Sequence, residues 1–375
     1  MPNAIILGAG IMGLSAARGL SAAGWGVTVI DQDALPNARG ASVDDHRLIR
    51  HAYGAQAGYM RMVEDSYAAW NALWAELGET LHVPTGVLAL AGRDAGWIAD
   101  SRRALRAGGH EPRELEPAEL AARFPMLSTG GVGAALHMAQ GGVLLARRIV
   151  AALLRHLAGR GVVLEKGRAV EVDPNRASLT LEDGSRRQAD LLVLAAGPWA
   201  PRLVPGLAAR VTPSRQIVVY LEPPPQHREA WASAPMLLDL AEDGGFYAVP
   251  PVAGTPLKIG DHRFSRRGDA EDPREASPAE AEEILALARP RLRDAASYRL
   301  LGARACYYDV EDAERFVVEK LGPACFVMSG FSGHGFKFGP LLGLMVAAAA
   351  QDEAVARALP AWAAGDAPLP VPLGA

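Results

Sequence analysis

The chain has 375 residues, half of them hydrophobic and 21% charged, with a net charge of −4 and a pI near 6.2. That ordinary globular composition suits two domains with a large core, needs no disulfide or metal staple, and leaves no metal site expected. It carries no basic excess to attract nucleic acid or an anionic membrane, and its longest apolar run, Gly339 to Ala350, falls short of the ~20 residues that cross a bilayer.

In chain order, Ala4 to Leu7 reads as a strand, Met12 to Ala23 as a helix closed by Gly24, and Val27 to Ile30 as a second strand with Asp31 directly after it. This is a βαβ unit of about thirty residues. Arg61 to Leu77 is a predicted helix with Met, Tyr, Trp and Leu on one face. Val87 to Leu90 is a short strand, and Asp94 to Phe124 is mostly helical. An amphipathic helix covers Leu144 to Gly159; strands follow at Val162 to Leu164 and Ala169 to Val172, with another pair around Asp183-Gly184. Leu191 to Ala195 is an apolar strand, and Val218 to Leu221 another. Arg263 to Arg267 is a solvated loop, and Ser277 caps a helix that begins at Pro278 and runs to Leu292. Phe316 to Val318 and Cys325 to Met328 form a strand pair, Gly339 to Ala350 a buried helix, and the tail after Ala367 is extended. The N-terminus has no basic leader before Arg18, and two cysteines, Cys306 and Cys325, build no disulfide framework, so the expected location is the cytoplasm.

The strongest local motif is Gly8-Ala9-Gly10-Ile11-Met12-Gly13. Gly8 permits a tight turn, Gly10 lets backbone approach a pyrophosphate, and Gly13 lets helix pack close on strand. The helix N-terminus offers N–H groups to the phosphates. Asp31 follows Gly13 by 18 residues, placed to accept ribose hydroxyls and to repel a 2′-phosphate. The motif leaves NAD and FAD both open.

Four further segments decide between them. They are Asp45-His46-Arg47-Leu48-Ile49-Arg50-His51-Ala52-Tyr53-Gly54, Leu257-Lys258-Ile259-Gly260-Asp261-His262, Cys306-Tyr307-Tyr308, and Gly330-Phe331-Ser332-Gly333-His334-Gly335-Phe336-Lys337-Phe338. In order and spacing they resemble the monomeric sarcosine oxidase family of flavoproteins, within the larger D-amino-acid-oxidase-like superfamily. The resemblance runs along nearly the whole chain and implies an α/β fold: a Rossmann-type FAD-binding domain (1–80, 143–213, 300–375) and an α+β substrate domain (81–142, 214–299) with a mainly antiparallel sheet. It implies an FAD-dependent oxidoreductase that oxidises the C–N bond of a small amino acid or N-alkyl amino acid. The imine then hydrolyses and oxygen becomes hydrogen peroxide. A dehydrogenase that passes electrons to another carrier, and an oxidase of a cyclic or basic amine, stay open. The expected partners are the small substrate and oxygen, and the protein is expected to be a monomer or small homo-oligomer.

The resemblance also assigns residues. Arg50 and Lys337 bind the substrate carboxylate, with Tyr247, Tyr308 and His262 lining the substrate side of the ring. Arg47 sits near the ring; its spacing from Arg50 suggests one face of a helix turn. Lys258, in an apolar run, points inward, reaches flavin N5 through a water and promotes reaction with oxygen. Cys306 matches the position of a covalent flavin link. Besides the N-terminal glycines, Ile11, Met12 and Asp31, the expected flavin contacts are Gln32, Ser42, Arg47, Val170, Ala196 and Gly197. The loop adds Gly330, Gly333, His334, Gly335, Phe336 and Lys337. Asp261 departs from the family, which carries an aromatic residue there; Val43 and His46 differ as well. These changes touch the pocket and leave the exact substrate open.

Overall fold

A computed structural model describes residues 1–241 and 245–372. Its first sheet has six strands in the order Val317–Gly322, Cys325–Ser329, Leu191–Leu194, Asn3–Leu7, Gly26–Asp31, Val163–Lys166. All pairs are parallel except the first, an antiparallel edge. The central strands are apolar on both faces because helices cover both, as parallel sheets require. Helix Ile11–Ala22 lies between this sheet and the buried helix Gly339–Ala349.

A second sheet has eight strands: Arg299–Glu311, Val211–Glu222, Leu257–Asp261, Phe246–Val249, Met236–Leu240, Val87–Ala91, Ala134–Met138, Arg113–Glu114. It is antiparallel apart from the pairing of Met236–Leu240 with Val87–Ala91. Helix Pro278–Ala288 packs on it, opened by a capping box in which Ser277 and Glu280 satisfy each other's backbone N–H groups. A small sheet joins Arg47–Ile49 and His82–Val83 to Gly142–Leu144, and another is formed by Ala169–Asp173, Ser178–Leu181 and Arg186–Gln188. Among the described residues no helix is long and apolar enough to cross a membrane.

Several expectations need correction. Arg47 and Arg50 do not share a helix turn, because Arg47–Ile49 is a strand paired with Gly142–Leu144. The predicted Val218–Leu221 strand runs from Val211 to Glu222, its polar first half held by twelve residues of register against Arg299–Glu311. The helix from Pro278 stops at Ala288 rather than Leu292. A helix, Glu353–Ala363, stands before the tail, with Asp352 as its cap and Pro360 inside it; residues 368–372 form neither helix nor strand.

Candidate active site

Two cavities meet between the sheets. The larger, about 330 Å³, is lined from Asp31, Gln32 and Val170 past the glycine loop to Arg47, Tyr308 and Gly333. The smaller, about 170 Å³, is lined by Arg50, Tyr247, Lys258, Asp261, His262, His334 and Lys337 among others. Arg47, Tyr308, Gly333 and Phe336 line both.

The glycine loop is shaped by contact. Gly8 turns with φ +110°, and a Cβ on it would overlap the Ala195 carbonyl; one on Gly13 would overlap the Gly8 carbonyl. Gly13 thus sets the helix against the strand without lining the cavity, while Gly8, Gly10, Ile11 and Met12 line it. Helix Ile11–Ala22 has no acidic residue in its first turn, and Ser42 Oγ accepts the Ile11 N–H at 2.9 Å. Its positive end therefore faces the cavity, as an anionic pyrophosphate needs. Buried Asp31 accepts from Ala9 N (2.8 Å), Asn37 Nδ2 (2.8 Å) and Asp33 N (3.2 Å). A carboxylate has about four lone-pair positions, so roughly one is left for a ribose hydroxyl. These features fit the phosphates and ribose of a dinucleotide.

At the other end, Gly333 has φ +74°, and a Cβ there would run into the Tyr308 ring. Ser42, Ala196, Gly197, Gly335 and Phe336 also line the larger cavity, whereas His334 and Lys337 line only the smaller one. Gly330 and Cys306 line neither. Cys306 is a free, half-buried thiol two residues before Tyr308 on one strand, so both side chains take the same face.

The smaller cavity holds two charge arrangements. In the first, Asp44 Oδ2 accepts from Lys258 Nζ (2.7 Å) and Arg47 Nη1 (2.8 Å), while Oδ1 accepts from Tyr220 OH (2.6 Å) and Asp45 N (2.7 Å). Burial alone would raise the Asp44 pKa, but Lys258 and Arg47 hold it well below the usual carboxylate range. Burial, with Arg47 adding to it, depresses Lys258, and Asp44 partly restores it. Lys258 also donates to the His46 carbonyl at 3.0 Å, so one of its three N–H groups remains for the cavity it lines. Arg47 is further pinned to the carbonyls of His46 and Ala41.

In the second arrangement the cations lack such a partner. Arg50 donates to the Ala52 carbonyl and stacks on Tyr53 and Trp97, at 4.6 and 5.6 Å from the ring centroids. Lys337, 4% exposed, donates to Tyr53 OH (2.8 Å) and the His334 carbonyl (2.9 Å). Among the described residues neither forms an ion pair with a carboxylate. Burial, then the nearby Arg50 charge, pushes Lys337 well below the ordinary lysine range. His262 also lines this space but is exposed at its edge; the protein packed around it and the Arg50 charge push it down to about 4, and even its ordinary range leaves the imidazole mostly neutral near pH 7. Burial pushes Asp261 the other way, up to about 6, and Tyr308 up to about 12.

The sequence reading missed Asp44, the shared counter-ion, although an acid three residues before Arg47 was a visible signal. It also missed Trp97, on which Arg50 stacks, and Glu314, which lines the smaller cavity and whose charge acts on Arg50; their distance along the chain from the motifs leaves no signal.

A family model described as FAD dependent oxidoreductase matches residues 3–349. An N-methyl-L-tryptophan oxidase of Yersinia pestis (strain Pestoides F) is 27% identical over 357 residues, covering 93% of this chain and 95% of that protein. Among solved structures, NikD, an unusual amino acid oxidase essential for nikkomycin biosynthesis, superposes with a TM-score of 0.81 at 20% identity, covering 94% of this chain and 95% of that one. Amadoriase I of Aspergillus fumigatus, a fructosyl amine:oxygen oxidoreductase, gives 0.79 at 20% identity, covering 93% and 86%. With a glycine cradle and a helix end that fit the dinucleotide, and a family match along nearly its whole length, the chain belongs to the D-amino-acid-oxidase-like family of FAD-dependent oxidoreductases.

Proposed function

We propose that the protein oxidises the C–N bond of a small α-amino acid or N-alkyl amino acid, with oxygen as electron acceptor. The observation that carries the reading is the pair of inward cations, Arg50 and Lys337, which line one cavity without a direct ion pair to a carboxylate among the described residues, Glu314 acting on Arg50 only through space. Two such charges are tolerable together when an anion lies between them. The names of the relatives, an N-methyl amino acid oxidase and amine oxidases, support the same class.

When bound, FAD accepts two electrons from the carbon beside the nitrogen and passes them to oxygen, giving hydrogen peroxide, while water hydrolyses the imine. The chain's part is to hold and to tune. Arg50 and Lys337 grip the carboxylate and fix the amine carbon, with Tyr247 packed alongside. Neutral His262 accepts a hydrogen bond from the amine and helps to orient it. Lys258, held by Asp44, would offer its free N–H and positive charge to the bound flavin and so favour the oxygen reaction. Arg47 and Tyr308, which line both cavities, would contact the bound flavin where the two spaces meet. Cys306 attaches the flavin, its side chain on the Tyr308 face of the strand. The chain divides into a nucleotide part around the six-stranded sheet and a substrate part around the eight-stranded one. It works in the cytoplasm as a monomer or small homo-oligomer, both thiols being free.

Asp261 supports a narrower reading. It is an acid in the substrate cavity, beside His262, and would favour substrates with a second, cationic group. The test of the main reading is a peroxide-coupled comparison of free acids with their esters and decarboxylated amines. Arg50→Gln should raise KM for the acid by roughly 10–100-fold, since a lost charged hydrogen bond costs about 1.5–3 kcal/mol. An ester or amine that reacts as well as the acid sinks the carboxylate clamp.

A further inference from the structure

Outside the active site, three side chains from separate segments converge. His51 follows strand Arg47–Ile49, Glu64 lies on helix Ala57–Leu77, and His110 lies in the loop after helix Gly96–Ala107. One ligand atom from each lies within 4.8 Å of the other two. His51 Nε2 is 2.9 Å and His110 Nε2 is 2.5 Å from the same oxygen, Glu64 Oε1. We propose that His51, Glu64 and His110 bind one divalent zinc ion, with the remaining position open to water.

His110 Nε2 and Glu64 Oε1 are within hydrogen-bond reach, and it is the geometry at His51 that separates a metal site from a plain hydrogen-bonded cluster. His51 is 4% exposed, and its Nε2 is buried with no hydrogen-bond partner, although Glu64 Oε1 is close. The imidazole is therefore not aimed along the line to the carboxylate. At ligand distances of ~2.1 Å, two ligand atoms 2.9 Å apart see a shared ion along directions roughly 45° off that line. Such an angle spoils a hydrogen bond and suits a metal. The ring is also held, stacked on Tyr67 at 5.0 Å and against His110 at 4.4 Å. Two imidazoles and a carboxylate are a zinc donor set rather than one for calcium or magnesium, which take oxygen ligands. Glu64 is half exposed, which gives the ion an entry path and leaves room for water. His51 adjoins Arg50, so the ion would pin the segment that carries that arginine to two helical segments behind it.

The test uses tag-free, flavin-loaded protein, stripped with a chelator and titrated calorimetrically with Zn²⁺. One saturable equivalent is expected, weakened at least tenfold in both Glu64→Gln and His110→Ala. Retained flavin absorbance shows that each variant is folded. No saturable equivalent, or undiminished binding in either folded variant, overturns the proposal. Crystals soaked in Zn²⁺ give an independent readout: an anomalous peak between the three side chains supports the site, and a peak only elsewhere refutes it.

Discussion

Asp44→Asn is the sharpest perturbation of the active-site electrostatics. Asp44 is 7% exposed and is the shared counter-ion of Lys258 and Arg47. Asparagine keeps the shape and can still pair with Tyr220, but it leaves two buried cations facing each other. Removing one partner of a buried pair costs about 3–5 kcal/mol. A ceiling comes from the escape route: Lys258 can shed its proton, which from an ordinary pKa near ~10.4 costs about 4.6 kcal/mol at pH 7. A loss of about 3 kcal/mol at pH 7 is therefore expected. The sign of the pH dependence follows. Lys258 is already depressed in the folded protein, and without Asp44 it falls further. Between its folded pKa and ~10.4 the folded state binds fewer protons than the unfolded, so stability rises with pH, by at most about 1.4 kcal/mol per unit. The variant should have the steeper slope. Urea unfolding of the flavin-loaded proteins at pH 7, 8 and 9, followed by circular dichroism, measures both quantities. Lys258→Met is the control: Asp44 keeps Arg47 and Tyr220, so the loss is smaller and this pH dependence disappears. A variant within 1 kcal/mol of the parent at pH 7, with the parent's slope, would refute the shared-counter-ion account.

Three other outcomes are expected. Gly10→Glu should abolish flavin binding, because its Cβ would meet Ser42 Oγ at 3.1 Å and the rest of the side chain would enter the cavity; a yellow purified variant contradicts this. In acid-precipitated parent protein the flavin should stay with the pellet, and in Cys306→Ser it should move to the supernatant; flavin released from the parent rules out the covalent link. Asp261 is protonated below about 6 and charged above it, so kcat/KM for a substrate with a second cationic group should climb with pH through that point. The inflection should vanish in Asp261→Asn, and its persistence there would give it to another group.

The legible parts of the structure are local in sequence. The first strand, glycine loop, helix and Asp31 form one continuous unit, and each residue's role follows from backbone sterics. Lys258 was legible because an isolated lysine between Leu257 and Ile259 has few places to go but inward. What stayed hidden depends on distant pairing. The polar, Pro213-containing half of Val211–Glu222 has little strand character of its own; Arg299–Glu311 supplies the ladder that makes it one. Pro360 masks the helix Glu353–Ala363, which packs on Gly339–Ala349 through Leu359 and Trp362. The strand at Arg47 is imposed by Gly142–Leu144, and with it the opposite directions of successive side chains. The residues of the candidate zinc site have no shared motif, since three segments bring them together.

The two charge arrangements in the substrate cavity make sense as a division of labour. Lys258 and Arg47 share Asp44 as a built-in counter-ion, which partly offsets the burial of Lys258 whether or not a ligand is present. On the proposed reading Lys258 acts after the substrate has reacted, and a built-in counter-ion suits that role. Arg50 and Lys337 are left unbalanced, and burial with mutual repulsion already weighs on the Lys337 proton. Glu314 gives Arg50 some charge compensation through space, and on the proposed reading a bound carboxylate supplies the direct partner. On that reading binding energy is concentrated on the carboxylate, remote from the bond that breaks, where it can orient the amine without stabilising the unreacted C–N bond. Glu314 lines the same cavity and acts on Arg50 only through space, without an ion pair, whereas Asp44 bonds Lys258 and Arg47 directly; on the proposed reading that difference makes one cation pair a receptor and the other a fixture.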